Sequence, residues 1–245
     1  NVYQINYTND KSYSLNHSPF ELFLHLRNKS QPKYGYYMKY KNHHILSFSP
    51  ELFFKKEKNI IQSTPMKGTR KRSRNLEHDK KLKFELKNSI KDRAEHLMIV
   101  DLIRNDLGKI AVSGTIKVDD IFKVESHKTV HQMISNITAK LEESICEIDI
   151  ISALFPGGSI TGAPKESAMK IIDSLENYSR DLYTGTIGYI KSNGSLNFNI
   201  AIRTMTIKKN RGVYPVGGGI VWDSNAIDEW NEAQLKSEIL NHATI

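Results

Sequence analysis

The stretch LNFNIAIRTMTIKKNRGVYPVGGGIVW, residues 196–222, alternates apolar and polar residues on both sides of a Lys-Lys-Asn-Arg-Gly turn. A period of two, carried by Ile, Thr, Val and Tyr, marks paired β-strands. Just upstream, YTGTIGYI (183–190) and a Lys-Ser-Asn-Gly-Ser turn add another strand of the same kind. Together they predict a three-strand antiparallel meander with 196–207 as its middle strand. Arg203 lies inside that mostly apolar strand, either as a buried structural ion pair or as a fork for a ligand carboxylate. Three consecutive glycines, beginning with Gly217 and Gly218, interrupt the last strand. Glycine weakens a strand, so they imply close approach of a ligand to the backbone, or else a bulge or crowded packing.

The rest of the chain mixes strands and helices. YYMKY (36–40) and HHILSFS (43–49) read as strands around a polar turn, and NIIQSTP (59–65) as another, stopped by Pro65. From Asp79 to Leu107 the apolar residues Leu82, Leu86, Ile90, Ala94, Leu97 and Met98 recur three or four apart, predicting one long helix closed by Gly108. Strands are expected around 109–118 and 127–141. A short helix is expected over 148–155, another over 164–175 with Pro164 in its first turn, and a last from Ala226 to the end. Paired strands interleaved with long helices predict an α+β fold and not a doubly wound sheet.

Two of these helices carry acidic pairs at helical spacing. Asp92 and Glu95 share one face, as do Glu229 and Glu232, with Lys236 extending the second face. Magnesium is usually held by one or two carboxylates together with substrate oxygens, so matched pairs suit such an ion. Acidic pairs on solvated helix faces are the plainer alternative. The segment FPGGSITGAPK (155–165) is a Gly-rich turn feeding a helix N-terminus; it lacks the Gly-Lys-Ser/Thr ending of a Walker loop and is either an anion cradle or a tight turn. IQSTPMKGTRKRS (61–73) sets Lys67 among further basic residues, leaving three readings: a surface cation, a phosphate ligand or a catalytic amine.

The 245 residues suffice for one large domain or two small ones. With 39% hydrophobic and 25% charged residues the composition is that of an ordinary globular protein. No apolar run is long enough to span a bilayer, so no membrane association is expected. The single cysteine, Cys146, excludes an internal disulfide, and a reducing cytoplasm is the expected location. The net charge of +8 admits a nucleic acid or a small anion as ligand, but no zinc finger, RNP motif or basic zipper supports the former.

The order of the motifs says more than any one of them. SPE (49–51), PMKGT (65–69), DRAEHLMIVDLIRNDLG (92–108), FPGGSITGAPK (155–165), YTGTIGY (183–189), IRT (202–204), GGGIVWDS (217–224) and DEWNEAQLK (228–236) together resemble the chorismate-utilising enzymes. That family includes anthranilate synthase and aminodeoxychorismate synthase large subunits, isochorismate synthases and salicylate synthases. The resemblance covers essentially the whole chain. It implies two β-sheets packed face to face, helices outside, and an active site in a cleft between them. Many members carry a further N-terminal region, and residues 1–245 correspond to the chorismate-binding catalytic domain.

The resemblance also implies roles. Glu95 and Glu232 match magnesium ligands, flanked by Asp92 and Glu229. Arg203 and Tyr183 match the positions that bind the enolpyruvyl carboxylate; Gly217, Gly218 and Lys236 match the pocket of the ring carboxylate. Glu51 matches the general acid at the departing C4 hydroxyl, and Thr69 closes the Lys67 motif beside the substrate. Anthranilate synthases have Ala where this chain has Lys67, whereas aminodeoxychorismate synthases have Lys. The implied activity is therefore conversion of chorismate and ammonia to 4-amino-4-deoxychorismate, towards p-aminobenzoate and folate. Lys67 would attack C2 and later be displaced as ammonia takes C4. Gln4 replaces the Lys base of the hydroxylating branches. The family's histidine in the 127–141 strand aligns with Gln132, with His131 one place early. Ammonia is expected from a glutamine amidotransferase subunit or domain. Anthranilate synthase is the alternative within the family, and a non-catalytic basic binding protein the alternative outside it.

Overall fold

The computed structural model describes residues 2–15, 17–128 and 130–237. Its contacts divide the chain into two units: Asn1–Glu51, Ile160–Gly188 and Asn199–Ile245 form the first, Leu52–Ser159 and Tyr189–Phe198 the second. Two antiparallel sheets with helices give the α+β class that the patterning predicts.

The first unit is built on a six-stranded sheet. Strands β1 (Gln4–Ser14), β2 (Tyr34–Tyr40), β3 (His43–Ser49), β9 (Gly162–Ala163), β12 (Thr204–Lys208) and β13 (Arg211–Val221) stand in the order β2-β3-β12-β13-β1-β9. The long pairing of β1 with β13 runs from Gln4 opposite Val221 to Ser14 opposite Arg211. Helix α1 (Pro19–Ser30) places Leu22, Phe23 and Leu26 against Leu46, Phe48, Met205, Ile207, Tyr214 and Val216, and these form the unit's buried core. This helix is announced by Ser18-Pro19, a proline at a helix start, and went unread in the patterning. Helices α5 (Lys165–Leu175) and α6 (Ala226–Lys236) complete the unit, and Asn225 caps α6 by accepting from the amides of Ile227 and Asp228. The part of the last helix expected beyond Ser237 lies outside the described residues.

The second sheet has the order β10-β11-β4-β5-β8-β6, with β7 also pairing β8. Its strands are β4 (Leu52–Glu57), β5 (Ile60–Thr64), β6 (Met66–Lys71), β7 (Lys117–Ser126), β8 (Val130–Lys140), β10 (Thr186–Ile190) and β11 (Leu196–Ile200). Helices α2 (Leu76–Asn88) and α3 (Ile90–Gly108) contact β6 and β8, and α4 (Glu147–Leu154) contacts α3.

Three expectations need correction. The run 196–207 is not one strand: β11 ends at Ile200 and β12 starts at Thr204, in different sheets. Between them Ile202 donates to the Ile200 carbonyl and Arg203 adopts φ +49°, so the backbone turns where the alternation of side chains continues. The helix expected over 79–107 is two helices, because Ser89 takes an extended conformation and caps α3 by accepting from the Asp92 amide. The break also shifts the buried face: α3 buries His96, Ile99, Val100 and Leu107, while Ile90 is 87% exposed. The strand expected over 109–118 begins at Lys117, preceded by a turn with an isolated bridge at Ala111.

Candidate active site

In the first unit the end of β13 and helix α6 bring five expected residues together. Lys236 donates to the Gly217 carbonyl at 2.9 Å and pairs with Glu232 at 2.7 Å. Ser224 receives the Val221 amide and donates to Glu229 at 2.6 Å, fixing that carboxylate beside the strand end. The glycines divide the two roles that the sequence left open. A Cβ on Gly217 would collide with the Tyr7 carbonyl, so close approach of β1 requires that glycine. A Cβ on Gly218 would meet Glu229 Oε2 at 3.5 Å and Lys236 Nζ at 3.6 Å, ordinary contacts, so this position borders the charged groups of α6.

Tyr183 and Arg203 belong to the same unit. Thr184 (φ +61°) and Arg203 (φ +49°) both occupy the left-handed region, costly for β-branched and long side chains. Backbone bonds Thr184 N to Ala201 O, 3.0 Å, and Phe48 N to Arg203 O, 3.0 Å, hold these turns. Burial pushes the Tyr183 hydroxyl far above its ordinary pKa, so it stays a neutral donor. The same holds for the buried Tyr214, whose hydroxyl feels the opposing pull of the Arg203 guanidinium. Glu51 is buried at 6% exposure, its amide donating to Ser49 Oγ and its carbonyl accepting from Ile200. Gln4 is buried in β1, opposite Val221 on one side and Ala163 on the other.

The second unit holds Lys67, Thr69, Asp92 and Glu95. In the β6–β8 ladder Lys67 stands opposite Met133 and Thr69 opposite Gln132, with Gly68 as the extra residue of a bulge. Gly68 has φ +75°, and a Cβ there would press on Asp92 Oδ1 and Leu86 Cδ1, both at 2.9 Å. Regular alternation would put Lys67 and Thr69 on one face; the bulge turns them to opposite faces. Lys67 Nζ thereby reaches Glu95 Oε2 at 3.9 Å, and Asp92 Oδ2 is bound by Arg70 Nη2 at 2.7 Å. Next to Glu95, His96 is fully buried, with Nε2 2.7 Å from Ser135 Oγ and Nδ1 without a partner among the described residues. Burial, then the charge of Lys67, push its pKa down to about 4, so its imidazole is neutral at neutral pH.

His131 and Gln132 separate cleanly. His131 contacts Ser126 Oγ through Nδ1 at 3.0 Å and Asp79 Oδ1 through Nε2 at 3.1 Å, on the side of α2. Gln132 is directed to the opposite face by strand alternation. His131 is thus bound into a network with Ser126 and Asp79. Arg70 and Ser224 stand inside motifs that gave them no role, and Ser135 stands in none; the structure shows their contacts with Asp92, Glu229 and His96. The S-x-x-D signature of Ser89–Asp92 was available to signal the start of α3.

Magnesium is compatible with the donor chemistry. Glu95 in the second unit and Glu229 and Glu232 in the first are hard carboxylates, whereas Asp92 is bound by Arg70, and among the described residues no group of three or more His, Cys, Asp or Glu forms a complete protein cage. An ion completed by substrate oxygens needs no such cage.

This chain belongs to the chorismate-binding enzymes: the family profile described as "chorismate binding enzyme" matches residues 1–242. The anthranilate synthase component 1 of Saccharolobus solfataricus is 39% identical over 242 residues, which cover 99% of this chain and 58% of that protein. The aminodeoxychorismate synthase component 1 of Salmonella typhimurium is 42% identical over 240 residues, covering 98% of this chain and 53% of that protein. The chain therefore spans little more than half the length of these relatives. The crystal structure of anthranilate synthase component I from Streptococcus pneumoniae superposes with a TM-score of 0.89 at 31% identity, over 99% of this chain and 53% of that one.

Proposed function

We propose that this chain aminates chorismate at C4, giving 4-amino-4-deoxychorismate and water. The observation that carries the reading is Lys67, presented by the Gly68 bulge at 3.9 Å from Glu95. An amine near its reference pKa of about 10.4 is mostly protonated at neutral pH, so attack must begin from the small neutral fraction or from one enlarged by the site. The neutral Lys67 amine forms a bond to C2; the ring double bonds shift and the C4–O bond breaks. Glu51 gives its proton to the departing hydroxyl, which leaves as water. Ammonia then bonds to C4 as the C2–Lys67 bond breaks, and its surplus proton returns to Glu51. One difficult displacement becomes two easier ones.

Arg203 and Tyr183 are assigned to the enolpyruvyl carboxylate, and Lys236 with the backbone at Gly217 and Gly218 to the ring carboxylate. Thr69 belongs to the same motif as Lys67, and Gln4 has no base with which to activate water. Glu95, Glu232 and Glu229 are assigned to magnesium, which would supply positive charge to the substrate's carboxylates. Ammonia would come from a glutamine amidotransferase, a reading supported by the "component 1" in the relatives' names. The 39% identity to an anthranilate synthase favours a second reading, amination at C2 with loss of pyruvate. Lys67 argues against it, since a lysine there occupies C2.

The test is incubation with chorismate, magnesium and ammonium, with the product identified by mass and by conversion with aminodeoxychorismate lyase. A lyase-convertible product is expected, and chelation of magnesium should abolish its formation. Anthranilate or isochorismate as the main product without added lyase overturns the proposal.

A further inference from the structure

Regular alternation would put Lys67 and Arg70, three apart, on opposite faces of β6. The extra residue at Gly68 cancels that phase, so Lys67 pairs with Met133 and Arg70 with His131, which share the face of β8 turned to α2 and α3. On α3 the partners are also three apart, Asp92 and Glu95, on one helix face. Two rungs result: Lys67 to Glu95 at 3.9 Å and Arg70 to Asp92 at 2.7 Å. Arg70 does more than close an ion pair, because its Nη1 also donates to the Thr69 carbonyl at 2.9 Å, inside the bulge. Asp92 does more as well: its Oδ1 lies 2.9 Å from where a Cβ of Gly68 would be, too close for one to fit unchanged, and its amide is the one capped by Ser89.

We propose that Arg70 and Asp92 form a positioning pair that fixes the Gly68 bulge against the first turn of α3 and so sets the reach of Lys67. This rests on the reading of Lys67 as the nucleophile. It moves Asp92 out of the magnesium set, since one of its oxygens is committed to a guanidinium and the other faces the bulge. A planar fork is needed because two acceptors, Asp92 Oδ2 and Thr69 O, are served at once; a lysine at position 70 has a compact ammonium without that fixed spread.

The experiment compares Arg70→Ala, Arg70→Lys, Asp92→Asn and the double variant Arg70→Ala/Asp92→Asn in the full chain. Lys67 is labelled with a small amine-reactive acylating reagent, and its rate is read by mass spectrometry against the other lysines as internal controls. Ammonium-dependent kcat, the KM for chorismate, magnesium dependence and the ratio of 4-amino to 2-amino product are measured alongside. Each alanine or asparagine variant should change the Lys67 labelling rate and lower kcat by about 10- to 100-fold, the scale of a misplaced reacting group. KM should move far less, the 2-amino fraction should rise, and Arg70→Lys should fall between wild type and Arg70→Ala. The double variant should resemble the singles, because the two residues act as one unit. Magnesium dependence should stay that of wild type in all of them. An increased magnesium requirement confined to Asp92→Asn, additive losses in the double variant, or unchanged labelling and kcat in the singles each overturns the pair. If the wild type makes no 4-amino product, the functional reading fails, while the labelling comparison still tests whether the pair positions Lys67.

Discussion

One glycine, Gly68, sets Lys67 on the same face of β6 as Arg70. Under the proposed function the identity of Lys67 separates amination at C4 from amination at C2, and the residue that carries this proposal stands in PMKGT. Its orientation was not legible there, since a one-residue bulge reverses facing without leaving a pattern in side-chain type. If Lys67 acts as the nucleophile, Lys67→Ala should lower kcat for the 4-amino product by about 10^3-fold or more, as removal of a covalent catalyst does. The KM for chorismate should change by far less, and a weak 2-amino product should appear because C2 is now open to ammonia. Were Lys67 only a carboxylate ligand, the loss would fall mainly on KM; near-wild-type kcat for the 4-amino product in the alanine variant would sink the assignment. Arg203 shows the same boundary of legibility. Its place in an apolar run was plain, but its left-handed backbone, which ends one sheet's strand before another's begins, was not.

At the level of elements, hydrophobic period located most strands and helices but overran their ends. The 79–107 pattern continued through Ser89 because apolar spacing is indifferent to a single extended residue; Ser89 ends one helix and caps the next by accepting from the Asp92 amide. The start of α2 is held by a clasp that pattern could not reveal. Asp79 receives Arg72 Nε at 2.8 and 3.0 Å, the Ser73 amide at 2.9 Å and His131 at 3.1 Å. It thereby ties α2 to the segment just after β6 and to β8, with Ser126 of β7 reaching the other side of His131. Arg72, the Ser73 amide and His131 hold the Asp79 carboxyl well below its ordinary range. A depressed folded-state pKa stabilises the fold above the unfolded value, about 3.9, and this contribution fades as pH falls through the folded value. Asp79→Asn should therefore have a lower urea midpoint than wild type at pH 7. The difference should persist down to about pH 5 and shrink below about pH 4. Equal midpoints at pH 7, or a difference that grows on acidification, would contradict the clasp.

For the whole molecule, the motif order identified the family, whereas the division of the chain was hidden. The first unit is assembled from three separated segments and the second from two, so neither can be cut out as a continuous stretch. Residues assigned to a single reaction are distributed accordingly, Lys67 and Glu95 on the second unit, Arg203, Glu232 and Lys236 on the first. Within this chain, Cys146 is an unsuitable glutaminase nucleophile. It is exposed at the start of α4, where its backbone amide donates to Asp149 at 2.9 Å, a helix-capping role. The proposed amination needs ammonia and is indifferent to its source. Free ammonium should therefore support turnover by this chain, with a rate at fixed total ammonium that rises with pH as more of it becomes NH3 with an available lone pair. Glutamine should support none until a glutamine amidotransferase partner is added, after which turnover should no longer depend on added ammonium. Glutamine-dependent product from this chain by itself, with glutamate released in equal amount, would place the glutaminase within these 245 residues and defeat the assignment of Cys146.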